Sequence, residues 1–145
     1  MDELSKYETD FYGWAIEQAE LLRTRRLNEA DLDNIAEEIE SMGRSEKREL
    51  VNRLAVLLAH LLQWQFQPGL RGNSWRLTVV EQRKRLARHM QGNPSLNPTL
   101  PDALDEAYGY ARLTAQRETG LADSAFPAAC PYSFEQVSDE QFWPD

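Results

Sequence analysis

The most constraining feature of the sequence is an apolar stretch in its middle, VNRLAVLLAHLLQWQF, which runs from Val51 to Phe66. His60 is the only polar residue between Leu54 and Leu62. A helix that is apolar on nearly every side is enclosed by other elements and does not lie on a surface. At 1.5 Å per residue it would be about 24 Å long, close to the width of a small domain. The stretch therefore predicts a central helix with other helices around it.

Two amphipathic segments precede this stretch. The first begins at a capping residue, Thr9 or Asp10, and runs to about Arg26. For the second we predict a start at Asn28, where a capping-box variant and a hydrophobic staple coincide. Its apolar residues recur at helical spacing and predict a buried stripe, made of Leu32, Ile35, Ala36, Ile39 and Met42.

A glycine leaves the connection to the central helix open to two interpretations. Gly43 could end the second helix, with Ser45 capping the next. It could also lie inside one long helix, at a cost of about 1 kcal/mol relative to Ala. We favour a break near Gly43 to Ser45, which would let the second helix fold back over the central one.

Start and stop signals predict two further helices and a folded tail. One helix follows a cap at Ser74 and ends at Gly92, and the other follows Thr99 and ends at Thr119, before Gly120. Short turns in the tail would be capped at Ser133 (with Gln136) and at Ser138 (with Gln141). The tail also carries several aromatic residues, which favour a packed strap: Phe126, Tyr132, Phe134, Phe142 and Trp143.

These patterns together predict an all-α fold. It is a bundle of four to five helices around a central apolar helix at about residues 45–67, with a C-terminal strap of short turns. The length of 145 residues fits a single domain over residues 1–145, with loose ends at 1–8 and 138–145.

Charge and cysteine content limit the function classes. The net charge of −8 argues against a general nucleic-acid binder, although residues 71–92 hold six basic and one acidic side chain. The lone Cys130 allows no intrachain disulfide, and the acidic N-terminus lacks the apolar segment of a signal peptide. The apolar stretch, interrupted by Arg53 and His60, is shorter than the ~20 residues of a membrane span. We therefore expect a cytoplasmic protein without a membrane segment.

Six segments resemble, in the same order, the bacterial domain-of-unknown-function family 29. They are YETDFYGW, NIAEEIESMGRSEKREL, LLAHLLQWQFQP, SWRLTVVEQR, RETGL and FPAACPYSFEQV. The resemblance extends from Tyr7 to about Val137. It implies a small all-α fold and a bacterial cytoplasmic protein. It implies no activity, so no catalytic residue is carried over.

His60 is the foremost candidate for a functional residue. A polar group on an apolar helix needs a partner. Glu38 or Glu40 could pair with it across a helix contact, as a metal ligand or a general base. We favour the simpler interpretation, a core histidine bonded to a carboxylate or a carbonyl.

Two other catalytic arrangements have little support. The Glu-x-x-His motif of di-iron bundles is absent, because Leu57 precedes His60 and Leu86 precedes His89 at that spacing. Cys130 with His60 could form a nucleophile and base, but a lone cysteine is also a common buried apolar residue. We therefore assign no metal ligand and no cofactor.

Basic and aromatic residues are the candidates for an interaction surface. Arg76 and Arg83 lie in the fourth helix, where Trp75 could stack on a nucleic-acid base. The basic residues circle this helix, which favours a solvated helix with paired charges. Trp64 and Trp75 are most simply core residues, and both could face a partner if the strap moved.

Our leading functional hypothesis is a non-catalytic protein-interaction or regulatory module that binds a protein partner or self-associates. One alternative is a small metal-assisted enzyme with a site near His60, Glu38 and Glu40. The other is nucleic-acid binding through the basic fourth helix.

Overall fold

The computed structural model describes residues 5–145, and no β-strand occurs among them. Its α-helices are α1 (Lys6–Thr9), α2 (Phe11–Arg23), α3 (Leu32–Phe66), α4 (Asn73–Gly92), α5 (Leu100–Thr119) and α6 (Phe134–Ser138). Short 3-10 helices lie at Pro68–Leu70, Pro94–Thr99 and Asp123–Ala125. The predicted all-α bundle is confirmed, with α3 as the central helix that packs against α4 and α5.

Local end signals predicted several helix boundaries correctly. Asp10 caps α2 and accepts a hydrogen bond from the Gly13 amide at 3.1 Å. Ser133 and Gln136 form a complete capping box at the start of α6. Gly120 follows α5 with a φ of 73°, the left-handed conformation in which glycine is favoured.

Three predicted caps are wrong. Ser74 lies inside the first turn of α4, which begins at Asn73 after an N-cap at Gly72. The cap of α3 is at Asp31, not at Asn28, because Asp31 gains tertiary as well as local hydrogen bonds. The Asp31 carboxylate accepts from the Asn34 side-chain amide at 2.8 Å and from the Trp14 indole N–H at 3.0 Å. These hydrogen bonds lower the pKa of Asp31. Ser138 caps no turn, since it ends α6 and its hydroxyl donates to the Phe134 carbonyl oxygen at 2.9 Å.

The predicted break near Gly43 to Ser45 is also wrong, because α3 continues without interruption through both residues. An exposed glycine inside a helix costs only about 1 kcal/mol. Ion pairs along the same helix act in the opposite direction. The Arg44 guanidinium lies 2.9 Å from the Glu37 carboxylate and 3.8 Å from that of Glu40. The helix therefore does not turn back, and the predicted antiparallel pair does not form.

Contacts between residues divide the chain into two compact units, and the division falls within α3, between Ser45 and Glu46. The single domain over residues 1–145 therefore stays a prediction. Residues 1–4 of the predicted loose N-terminal end lie outside the described residues, and the rest of that end falls largely in α1.

Polar contacts and one aromatic cluster stabilise the first unit. The Tyr7 hydroxyl donates to the Glu38 carboxylate, and this bond raises the pKa of Tyr7 to about 12. The Gln18 side chain accepts from the Asp31 amide at 2.7 Å. The rings of Tyr7, Phe11 and Trp14 contact one another, with centroids 4.7 Å apart for Tyr7 and Trp14, 5.5 Å for Phe11 and Trp14, and 5.8 Å for Tyr7 and Phe11.

The apolar stripe predicted to be buried in this unit is largely exposed. Leu32, Ile39 and Met42 retain 52%, 61% and 65% of their accessible surface. The prediction was wrong because helical spacing shows only that apolar residues share a face, whereas burial needs a second surface. Because α3 is continuous through Gly43, this face gains no antiparallel partner from its own helix.

The second unit contains the core. The fully buried leucines of α3 pack with Val79 and Leu86 of α4 and with a row of alanines on α5, namely Ala103, Ala107, Ala111 and Ala115. Small side chains on α5 allow close helix packing. Phe126, Tyr132 and Val137 of the C-terminal segment complete the core, and Phe142 and Trp143 pack against it. The predicted strap is therefore confirmed.

A glycine-to-alanine substitution tests the continuity of α3. No atom lies within 4 Å of a Cβ added at Gly43, so Gly43→Ala should raise the free energy of unfolding by about 0.5–1 kcal/mol. The matched control, Gly120→Ala, should lower it by about 1–2 kcal/mol because of the positive φ. Urea unfolding followed by circular dichroism measures both. A Gly43→Ala variant less stable than the original protein would contradict a helical Gly43.

Candidate functional site

A histidine near the end of α4 is enclosed against α3. The His89 side chain is only 7% exposed. Its Nε2 lies 2.9 Å from the carbonyl oxygen of Glu46. Because a carbonyl oxygen only accepts hydrogen bonds, we assign the proton of a neutral ring to Nε2. The other ring nitrogen, Nδ1, then presents its lone pair on the opposite side of the ring.

Two carboxylates face that lone pair. The Oε2 atoms of Glu46 and Glu49 each lie 3.7 Å from His89 Nδ1. Both glutamates are on α3, one turn apart, so their side chains project from the same face. Arg53 donates two hydrogen bonds, of 2.6 Å and 3.0 Å, to the Oε1 atom of Glu49. This contact leaves Oε2 of Glu49 directed at His89.

Glu49 and His89 also line an open groove of about 890 Å³ between α3 and α4. Leu77 and Val80 form an apolar part of its wall. The charged residues that line it are two acidic and four basic, namely Glu49, Glu81, Arg53, Lys84, Arg85 and Arg88. Although the chain has a net charge of −8, the groove has a positive lining.

The structure gives His60 a partner in its own helix. Its Nδ1 lies 2.8 Å from the Val56 carbonyl oxygen, one turn earlier in α3, and donates a hydrogen bond to it. The ring is only half-buried. The hydrogen-bonding need of His60 Nδ1 is therefore satisfied by a backbone carbonyl and not by a carboxylate.

The two glutamates considered together with His60 have other partners. Glu38 accepts from Tyr7, and Glu40 pairs with Arg44 at 3.8 Å, both within the first unit. Within residues 5–145, the three acidic or histidine side chains close enough to share a metal ion are those of Glu46, Glu49 and His89. Sequence reasoning missed this group. The available signal was the Glu-x-x-Glu spacing of residues 46 and 49, but nothing in the sequence connected it to His89.

Cys130 is a half-buried free thiol. It donates a weak hydrogen bond to the Tyr132 carbonyl oxygen at 3.4 Å. Burial raises the pKa of the Cys130 thiol, which lowers the fraction of nucleophilic thiolate at neutral pH. These surroundings are typical of a structural cysteine.

The four residues considered for an interaction surface have different surroundings. Arg83 is 2% exposed and donates to the carbonyl oxygens of Val137 at 2.8 Å and Gln136 at 3.4 Å. Trp64 packs on Trp143 with ring centroids 4.7 Å apart. These contacts hold the C-terminal segment against the bundle.

The other two residues lie in the first turn of α4. Trp75 is half-buried. Arg76 donates to the Asn73 side chain at 3.0 Å, within the same helix. With Arg83 buried, the exposed basic residues of α4 are Arg76 and three that line the groove, Lys84, Arg85 and Arg88.

The sequence profile of a family described as "Domain of unknown function DUF29" matches residues 6–143. The chain belongs to this family. The resemblance found in the sequence is thus confirmed over nearly the whole DUF29 chain, although the family description states no activity. No curated protein and no solved structure matches it. Among residues 5–145, no helix combines the length and apolar character that crossing a membrane requires.

Replacing Arg83 tests its role in the DUF29 chain. Arg83→Met keeps most of the aliphatic packing but leaves the carbonyl oxygens of Gln136 and Val137 without their donor. We expect a loss of about 1–3 kcal/mol in the free energy of unfolding, together with faster proteolysis of the C-terminal segment. The exposed neighbour provides the control, since Lys84→Met should change stability by less than about 0.5 kcal/mol. Equal stability of the two variants would show that Arg83 does not hold this segment.

Proposed function

We propose that this protein is a non-catalytic interaction module that pairs with a second copy of itself through its first unit. The observation that supports the proposal is a set of large apolar residues that are each at least half exposed. On α3 they are Leu32, Ile39 and Met42, and on α2 they are Phe11, Tyr12 and Ile16, with exposed fractions of 50%, 78% and 58%. Contiguous exposed apolar surface is typical of protein interaction sites.

The first unit buries little of its own apolar surface. Among the residues of α1 and α2, the buried ones are Trp14, Gln18 and Leu21. Segments of about 40 residues rarely bury enough surface to be stable without help. A partner surface packed against these exposed residues of α2 and α3 would bury them, as the helical spacing of the apolar residues on α3 indicates.

Spacing and charge favour a second copy as the occupant. The stripe of Leu32, Ile35, Ile39 and Met42 follows the alternating three- and four-residue spacing of a helix–helix seam. Acidic residues (Asp33, Glu37, Glu38, Glu40) accompany its first half, and basic residues (Arg44, Lys47, Arg48) follow its end. Two antiparallel copies related by a two-fold axis near Ile39 would place residues 44–47 of each beside residues 31–34 of the other, so that Arg44 and Lys47 approach Asp33 and Asp31.

The alternatives have less support from the contacts. A metal-assisted enzyme centred on His60 has less support because Nδ1 of that ring is bonded to the Val56 carbonyl oxygen, and Glu38 and Glu40 have other partners. Arg83 could not contribute to a nucleic-acid-binding surface on α4, because its side chain is buried. We also propose a cytoplasmic location, which the single free thiol of Cys130 supports.

Charge substitutions in the stripe test the self-association. Ile39→Glu with Met42→Glu should weaken the dimer about 100-fold or more, because each substitution removes the burial of a large apolar side chain. Light scattering coupled to size exclusion, over a range of protein concentrations, measures the dissociation constant. The control is Leu113→Glu, a 58% exposed leucine on α5, which should remain dimeric. A monomeric original protein, or a dimer that survives the double substitution, would refute the proposal.

Charge reversal tests the antiparallel arrangement separately. Lys47→Glu should weaken the dimer, and adding Asp33→Lys should restore it, because these two positions are about 21 Å apart along one helix and can pair only between copies. If the reversed double variant stays monomeric although it is folded, the apolar stripe binds a different partner or a different arrangement of copies.

A further inference from the structure

The geometry assigns a second site to the DUF29 chain, independent of the apolar stripe: a divalent metal site formed by Glu46, Glu49 and His89. One ligand atom from each of these residues lies within 4.8 Å of the other two. Two glutamates come from α3 and the histidine from α4, so a bound ion would join the two helices. The ligand set of two carboxylates and one imidazole suits Zn²⁺ or Mn²⁺.

The orientation of His89 supports a metal more than an ordinary hydrogen bond. The side chain is more than nine-tenths buried, and Nδ1 is directed at two carboxylate oxygens that are both beyond hydrogen-bond distance, at 3.7 Å. A ring nitrogen in hydrogen-bond contact would be about 2.7–3.2 Å from its partner. Ligand atoms around a Zn²⁺ ion with bonds of about 2.0–2.2 Å are roughly 3.0–3.5 Å apart. Small rotations of the half-exposed glutamates would close the remaining difference.

His89 and Glu49 each have a further hydrogen-bond partner that fixes the side chain, as metal-binding residues generally do. Metal-binding histidines generally donate their second ring N–H to a carbonyl or carboxylate, which fixes the ring and the tautomer. His89 does this through Nε2, at 2.9 Å from the Glu46 carbonyl oxygen. Arg53 restrains Glu49 through Oε1 and leaves Oε2 for the ion.

Three protein ligands leave coordination positions for water or an external ligand. Glu49 and His89 line the groove between α3 and α4, so these positions would be accessible from it. Negative charge from the two carboxylates would offset the charge of the ion. The nearby basic residues limit its affinity, which makes a moderate, measurable dissociation constant the expected result.

Metal binding to the full chain tests the site. Protein freed of metal by chelation is dialysed against Zn²⁺ alone and, separately, Mn²⁺ alone, and the bound metal is counted. We expect one equivalent of at least one of the two ions per chain, and Glu46→Gln should weaken its binding by at least about tenfold. The Glu46 side chain is 47% exposed, so this variant should remain folded, which circular dichroism verifies.

Two matched controls separate this site from unspecific binding. His60→Gln removes the other histidine of the chain, and Glu81→Gln removes a groove carboxylate that pairs with Arg85. Both variants should bind metal as the original protein does. Absence of a bound equivalent, or equal binding by the Glu46→Gln variant, would refute the site and leave His89 as part of an ion pair. Loss of binding in His60→Gln would also refute it.

Nuclear magnetic resonance tests whether the ion binds to Nδ1 of His89. Long-range ¹H–¹⁵N spectra of the histidine rings should show a shift of His89 Nδ1 when the bound ion is Zn²⁺, while Nε2 keeps its proton. An unchanged His89 ring at saturating metal would overturn the assignment. The Ile39→Glu, Met42→Glu variant should bind metal with unchanged affinity, so failure of the dimer proposal and failure of the metal site are distinguishable.

Discussion

The enclosure of α3 between Leu50 and Leu62 is the interaction on which the rest of the second unit depends. Six leucines of this segment have no accessible surface: Leu50, Leu54, Leu57, Leu58, Leu61 and Leu62. Burying each of them contributes about 1.5–3 kcal/mol, so the six together outweigh any single polar contact in the unit. Leucines on most sides of one helix require cover on those sides, while Asn52 and Val56 stay exposed. The alanine face of α5, the apolar residues of α4 and the C-terminal segment provide that cover.

Polar side chains mark where this enclosure ends. Arg83 on α4 is buried beneath the C-terminal segment and donates to its backbone, so one side chain replaces water for two carbonyl oxygens. Farther along the same helix, His89 meets Glu46 and Glu49 at the point where the face of α3 changes from leucine to glutamate. The proposed metal site is therefore a consequence of packing a basic helix beside the polar end of a buried one.

The two histidines show how far a site can be predicted from sequence. His60 attracts attention because its neighbours are apolar, yet its ring nitrogen is satisfied four residues earlier by a carbonyl of its own helix. His89 lies in a polar, basic segment that predicts a solvated face. Only the packing of α4 on α3 buries its ring and brings two carboxylates near it. Because that contact joins residues 43 positions apart in the chain, helical spacing alone could not predict it.

The sequence by itself determined the elements whose signals are local. The leucine-rich run specified a buried helix, Gly120 ended α5, and the pair of Ser133 and Gln136 started α6, because each signal acts within a few residues. Tertiary structure decided the rest. A glycine inside a helix costs about 1 kcal/mol relative to Ala, which neighbouring contacts could offset, so the continuity of α3 through Gly43 was not fixed locally. The burial of Arg83 and the exposure of Ile39 depended on which distant surface, if any, came to lie against them.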